Sequence, residues 1–214
     1  MLQYKDLKIY HLRHAAFKIE DTKNGIILYI DPYEIENVSN DGHLVICTHD
    51  HYDHCSITDI KKVIRPDGII IAAKNCAHKI GSLGYKSYFL NPYDTIEELG
   101  IKIKAVPAYN VNKRFHPRNY GGIGVIIEVN GVKIYHAGDT DLIPEMKEIT
   151  DIDIALVPVS GTYVMTADEA ATAVKIMKPK IAIPMHYGLI IGSRADAERF
   201  RKLVEDVTKV EILL

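Results

Sequence analysis

Cysteine is scarce in this 214-residue sequence: Cys47, Cys55 and Cys76 are the only three, and no two stand in a CxxC spacing. That excludes a disulfide framework and a zinc ribbon, and an intracellular, cytoplasmic protein is expected. No stretch reaches the roughly 18 apolar residues of a membrane span. Residues 1–12 mix charged and apolar side chains where a signal peptide would have an unbroken apolar core, so a soluble, unexported protein is expected. Basic charge is not in excess, with 26 Lys and Arg against 28 Asp and Glu. A broad basic face for nucleic acid is therefore not expected. Internal repeats, low-complexity tracts and Pro/Gly linkers are absent as well, so residues 1–214 read as a single domain. Neither a serine nucleophile elbow nor a P-loop is present. What is there, 47% apolar and 25% charged residues, is enough to bury a sizeable core.

Apolar, β-rich runs bounded by Gly, Asp, Pro or Asn occur at residues 8–12, 15–19, 25–30, 44–48 and 69–72, then at 101–106, 122–129, 132–136, 154–157, 181–184 and 210–213. Asn130-Gly131 between two of them is the strongest hairpin signal. Ser56 with Asp59 predicts a short helix broken by Pro66, Asp67 and Gly68, and Thr166 with Glu169 predicts a second that Pro179 stops. A third is expected over residues 195–204. Both halves run strands first and helix after. That rhythm suits an α+β fold, an αββα four-layer sandwich of two mixed β-sheets with helices outside.

The chemistry-bearing residues concentrate at His49, Asp50, His51, Tyr52, Asp53 and His54, directly after the apolar run 44–48. Three of ten histidines within six positions make a chance His-rich loop the poorer reading. A strand end fixes position, while the loop beyond it lets successive side chains converge on a cation. His49 and His51 can point the same way from an extended backbone. Imidazole with carboxylate is the ligand set of zinc, iron or manganese rather than calcium or magnesium. Cys55, next in the chain, could touch such a site, whereas Cys47 reads as a small core residue.

His49-x-His51-x-Asp53-His54 resembles the signature of the metallo-β-lactamase superfamily. Three further stretches agree over nearly the whole chain: His14-Ala15-Ala16-Phe17, His136-Ala137-Gly138-Asp139-Thr140-Asp141, and Ile183-Pro184-Met185-His186-Tyr187-Gly188. The first and second are similar to its lactonase-like branch. The resemblance implies two divalent metal ions, with zinc expected and manganese or iron as alternatives. It implies that His49, His51 and Asp139 hold one, that Asp53, His54, His186 and Asp139 hold the other, and that Asp139 bridges. Asp53 would also orient the attacking water and so be catalytic.

One departure stands out. Where the family has a third histidine for the first metal, after the run 101–106, this sequence reads Pro107-Ala108-Tyr109-Asn110, and the next histidine is His116. Either His116 folds back as ligand, or water or Asn110 closes the site; contact with substrate or a supporting position is slightly favoured for His116. His14 and His136 are expected to support the metals rather than bind them. Lys113, Arg114 and Arg118 could grip an anionic substrate. The phenols of Tyr109, Tyr120, Tyr163 and Tyr187 could polarise a carbonyl or phosphoryl oxygen. The expected function is a metal-dependent hydrolase that uses a metal-bound hydroxide on an ester, lactone or phosphoester of a small molecule, anionic compounds included. The alternatives are a nucleic-acid-processing phosphodiesterase and a di-iron redox protein on the same scaffold.

Overall fold

The computed structural model describes all residues, 1–214. Its backbone falls into two compact units, Met1–Asn91 with Leu213–Leu214, and Pro92–Ile212.

The first unit holds a seven-stranded sheet in chain order: β1 Leu2–Tyr4, β2 Leu7–Arg13, β3 Ala16–Asp21, β4 Ile26–Ile30, β5 Gly42–Cys47, β6 Ile64–Ala73 and β7 Lys86–Leu90. Strands β1 to β4 pair antiparallel, and β4 to β7 pair parallel. Parallel neighbours need crossovers. The one between β5 and β6 carries the histidine run and helix α1, Ile57–Val63, capped by Ser56. Helix α2, Ala77–Ile80, follows β6.

The second unit repeats this pattern. Its strands are β8 Thr95–Glu98, β9 Ile101–Pro107, β10 Ile123–Val129, β11 Val132–His136, β12 Ile154–Pro158, β13 Ile181–Met185 and β14 Lys209–Val210. Again the first four pair antiparallel and the last four parallel. Helix α3, Ala167–Met177, crosses from β12 to β13 behind a Thr166–Glu169 capping box, and α4, Arg194–Val204, crosses from β13 to β14. The hairpin between β10 and β11 turns on Asn130 and Gly131, both at positive φ (51° and 68°) as a primed turn requires.

Burial alternates along the half-exposed strands. In β2, Leu7 and Ile9 are buried while Lys8 and Tyr10 are partly exposed; in β9, Ile101 and Ile103 are buried while Lys102 and Lys104 are exposed. Strands β5, β12 and β13 are nearly buried throughout, as expected of central parallel strands with both faces covered. One boundary differs from the expectation. Helix α1 ends at Val63 and β6 already begins at Ile64, so Pro66, Asp67 and Gly68 lie inside a strand rather than breaking the helix. The register shift between Gly42 and Leu44 on the partner strand accommodates them.

The pairing directions set the position of the chemistry. In the first unit β2, β4 and β5 run the same way, and His14, Asp31 and the histidine run follow their C-terminal ends. In the second unit β9, β11, β12 and β13 share a direction, and Asn110, Asp139, Ser160 and His186 follow theirs. Each sheet thus gathers its polar residues at its carboxyl edge, where parallel strands commonly bind ligands.

Candidate metal centre

In the first unit, Asp31 organises two histidines. It is fully buried, and its Oδ1 accepts the Thr48 amide at 2.8 Å. Oδ2 accepts the Thr48 hydroxyl at 2.6 Å and Nδ1 of His54 at 2.7 Å. Because the only hydroxyl proton of Thr48 goes to Asp31, its oxygen must accept from Nδ1 of His49, 3.1 Å away. Both histidines therefore carry a proton on Nδ1, and a neutral ring keeps its lone pair on Nε2. That lone pair of His49 faces Nδ1 of His51 at 3.0 Å. On the other side, Oδ2 of Asp53 lies 3.2 Å from His14 Nε2 and 3.7 Å from His54 Nε2. His14, Asp53 and His54 offer donor atoms within 4.8 Å of one another, all on buried residues.

The second unit has the same design. Oδ1 of Asn110 accepts both the His116 amide (3.0 Å) and Nδ1 of His116 (3.1 Å), while its amide nitrogen donates to Asp141 and to the Tyr163 carbonyl. That pattern fixes the amide orientation and leaves a lone pair on Nε2 of His116, 3.4 Å from Oδ2 of Asp139. His186 Nε2 reaches the same oxygen at 3.2 Å, with Ser160 Oγ on its Nδ1 at 3.0 Å.

These separations provide a test of fit. Two donors on one tetrahedral zinc, with Zn–N near 2.0–2.1 Å, stand about 3.3 Å apart. Four donor pairs, His49–His51, His14–Asp53, His116–Asp139 and His186–Asp139, fall at 3.0 to 3.4 Å. Imidazole and carboxylate donors at that spacing fit a zinc-type cation.

His116 is buried, and its ring nitrogens face Asn110 and Asp139. Asn110 offers its carbonyl oxygen to His116. Nδ1 of buried His136 accepts the Gly138 amide at 3.1 Å, so a neutral ring carries its proton on Nε2; it supports the turn before Asp139. Cys55 joins none of the donor groups. It hydrogen-bonds the thiols of Cys47 and Cys76, and that bond together with burial pushes the Cys47 thiol up. Lys113 is ion-paired with Asp141, and Arg118 with Glu145 at 2.7 Å. Tyr109 donates its phenol to Glu145 at 2.9 Å, and burial and that carboxylate raise its pKa. Three site residues hold strained backbone, His14 (φ 48°), Asp31 (φ 46°) and His186 (φ 62°). Non-glycine residues rarely adopt such φ, and strain of this kind gathers at functional sites.

Asp31 and Ser160 carry no recognised motif. For Asp31 the available signal was an aspartate followed by Pro32 at the end of an apolar run; Ser160 offers none beyond following a strand.

The beta-lactamase superfamily domain matches residues 8–186, which places the chain in that superfamily. A UPF0173 metal-dependent hydrolase of Thermoplasma acidophilum is 36% identical over 215 residues, covering 95% of this chain and 93% of the relative. Among solved structures, a protein of Parabacteroides distasonis designated a metal-dependent hydrolase superimposes with a TM-score of 0.82 at 33% identity, covering 96% of this chain and 92% of that one. A protein of Thermotoga maritima designated a Zn-dependent hydrolase of the metallo-beta-lactamase superfamily matches with a TM-score of 0.65 at 24% identity over 96% and 97% of the two chains. The chain belongs to the UPF0173 metal-dependent hydrolase family and has the metallo-β-lactamase fold.

Proposed function

We propose that this hydrolase uses two divalent metal ions, zinc by preference, to cleave an ester, lactone or phosphoester bond of a small molecule. In this reading residues 1–214 work as one domain. A single superfamily domain running from residue 8 to 186 across both units supports this. The donor set is His49, His51 and His116 for one ion and Asp53, His54 and His186 for the other, with Asp139 shared. The observation that carries the reading is the set of donor pairs at 3.0–3.4 Å, together with the bonds by which Asp31, Thr48 and Asn110 orient the rings of His54, His49 and His116.

A cation held by these donors would supply Lewis acidity, lowering the pKa of a bound water and polarising the scissile carbonyl or phosphoryl oxygen. The chain's own residues do the rest. Asp53 orients the attacking water, and His14, 3.2 Å from the Asp53 carboxylate, holds that side chain in place. Asp31, Thr48, Asn110 and Ser160 keep the imidazoles aligned, so little reorganisation accompanies the reaction.

A small substrate fits better than nucleic acid, because Lys113 and Arg118 are neutralised by Asp141 and Glu145. Three free, buried thiols suit a reducing compartment, which supports a cytoplasmic location. No helix is long and apolar enough to cross a membrane.

Metal analysis of the purified protein, combined with a panel of esters, lactones and phosphodiesters, tests the proposal. About two zinc ions per chain and turnover of one bond class are expected. A protein that binds no divalent metal on reconstitution and cleaves nothing overturns it.

A further inference from the structure

In the segment between Asn110 and Tyr120, Asn110 and His116 are buried, and Lys113 and Arg118 bond to carboxylates. Asp141 accepts the Val111 amide at 2.9 Å, the Asn110 side-chain amide at 3.2 Å, and the ammonium of Lys113. Glu145 takes Arg118, whose guanidinium also lies 5.1 Å over the ring of Tyr109. With Lys113 and Arg118 held by protein carboxylates, the loop also presents apolar side chains. Val111 is 64% exposed and Phe115, the residue before His116, is 48% exposed. The Phe115 ring stands edge-on to half-buried Tyr163 at 4.5 Å.

Two other loops of the same unit join this one. Asn110 donates to the Tyr163 carbonyl, and Ser160 bonds His186. Beyond His186, the Gly188 amide donates to the carbonyls of Ile191 and Gly192, closing a tight loop that carries Leu189 and Ile190, each more than a third exposed. A Cβ at Gly192 would come within 2.6 Å of the Ser160 side chain, so this loop lies directly on the one that steadies His186. Single exposed apolar residues need no explanation, but here they sit on the loops that carry His116 and His186.

We propose that Phe115, with Tyr163 and Ile190, receives an uncharged aryl or alkyl group of the substrate. The inference rests on the hydrolase reading above and names the substrate class of that site. Ligand pockets typically combine apolar lining with a few convergent polar groups. In this proposal the metal donors would supply the polar groups and the rim the apolar lining. An anionic group at this rim would have to displace Asp141 or Glu145 from Lys113 or Arg118, or rely on Arg114.

The test uses the full-length, metal-loaded protein and matched esters that carry a phenyl, a hexyl, a methyl or a carboxymethyl group on the acyl side. The wild type is expected to favour the phenyl and hexyl esters. Phe115→Ala is expected to lower kcat/KM for these about 10-fold, mainly through KM, with a smaller loss for the methyl ester and unchanged metal content. Phe115→Leu should restore much of the loss, which separates contact from misfolding.

Calorimetric titration with a neutral aryl alcohol and its carboxylate analogue gives a readout that needs no turnover. Aryl-alcohol binding that weakens in Phe115→Ala supports the rim even if no ester is cleaved, in which case only the hydrolase reading fails. A preference for the carboxymethyl ester or the carboxylate that Arg114→Ala abolishes overturns the inference. So does an equal response of all four esters to Phe115→Ala, or binding of neither titrant.

Discussion

Asp31 and His54 share a 2.7 Å hydrogen bond in a site where both side chains are fully shielded from solvent. The same carboxylate reaches His49 through the Thr48 hydroxyl, so one buried charge sets two imidazoles. Partners of this kind orient ligands and raise their basicity, and their loss typically costs 10–100-fold in metal affinity or activity. Asp31→Ala is therefore expected to weaken metal binding by about 10–100-fold. Asp31→Asn should lose less, because its carbonyl oxygen can still accept from Nδ1 of His54. Chelator competition followed by metal analysis reads both, and wild-type affinity in Asp31→Ala would remove Asp31 from the site.

His116→Ala is expected to release about one metal per chain, since Nε2 of His116 lies 3.4 Å from Oδ2 of Asp139 with its tautomer set by Asn110. Asn110→Ala should show a weaker form of the same defect, roughly 10-fold in affinity, because it removes only the orienting partner. Metal stoichiometry and titration separate the two. Full occupancy in His116→Ala would assign His116 to a role other than ligation.

The central sheets were legible in the sequence because their signals are local. Runs such as Ile26–Ile30 and Ile154–Pro158 are apolar without interruption, and Asn130-Gly131 admits few structures other than a hairpin. Strands β1, β7 and β8 were not legible. All three are sheet edges, with sequences such as Thr-Ile-Glu-Glu in β8, where exposure removes the demand for alternation. The candidate donors could be named because the histidine run and the Asp139 and His186 motifs lie in short stretches. Asp31 could not, since its bond to His54 spans 23 residues and depends on β4 and β5 lying side by side. The position of His116 was open because it depends on the loop folding back, seen in the 2.7 Å bond from the Asn110 backbone amide to the His116 carbonyl and in the two bonds that the Asn110 side-chain oxygen accepts from His116.

Asp53→Ala is expected to abolish turnover, a loss of at least about 100-fold, while circular dichroism stays unchanged. Asp53 stands on the loop beyond β5 rather than within a strand, and its carboxylate faces His14 and His54. Wild-type turnover in this variant would leave water orientation to other groups.

The acid limb of stability should report on Asp59. Its carboxylate accepts the Glu34 and Ile35 amides at 3.1 Å each, the Ser56 hydroxyl at 2.7 Å and the Lys62 ammonium at 2.8 Å, tying α1 to the chain before β5. Burial alone would raise its pKa, but the bonds from Lys62, Ser56 and Ile35 outweigh it and hold the carboxyl below the ordinary value. A depressed folded pKa means that the unfolded chain binds the proton more readily. The stabilisation is then full above the unfolded value of about 3.9 and is lost as pH falls through the folded one. Asp59→Asn should lower stability near neutral pH by roughly 1–3 kcal/mol, a few degrees of Tm, by weakening charge-assisted bonds. Its Tm should also fall less steeply than that of the wild type as the solution is acidified below about pH 4. Melts of metal-stripped protein keep ligand protonation out of the comparison. Parallel Tm curves for the two proteins across that range would show that Asp59 does not titrate in step with unfolding.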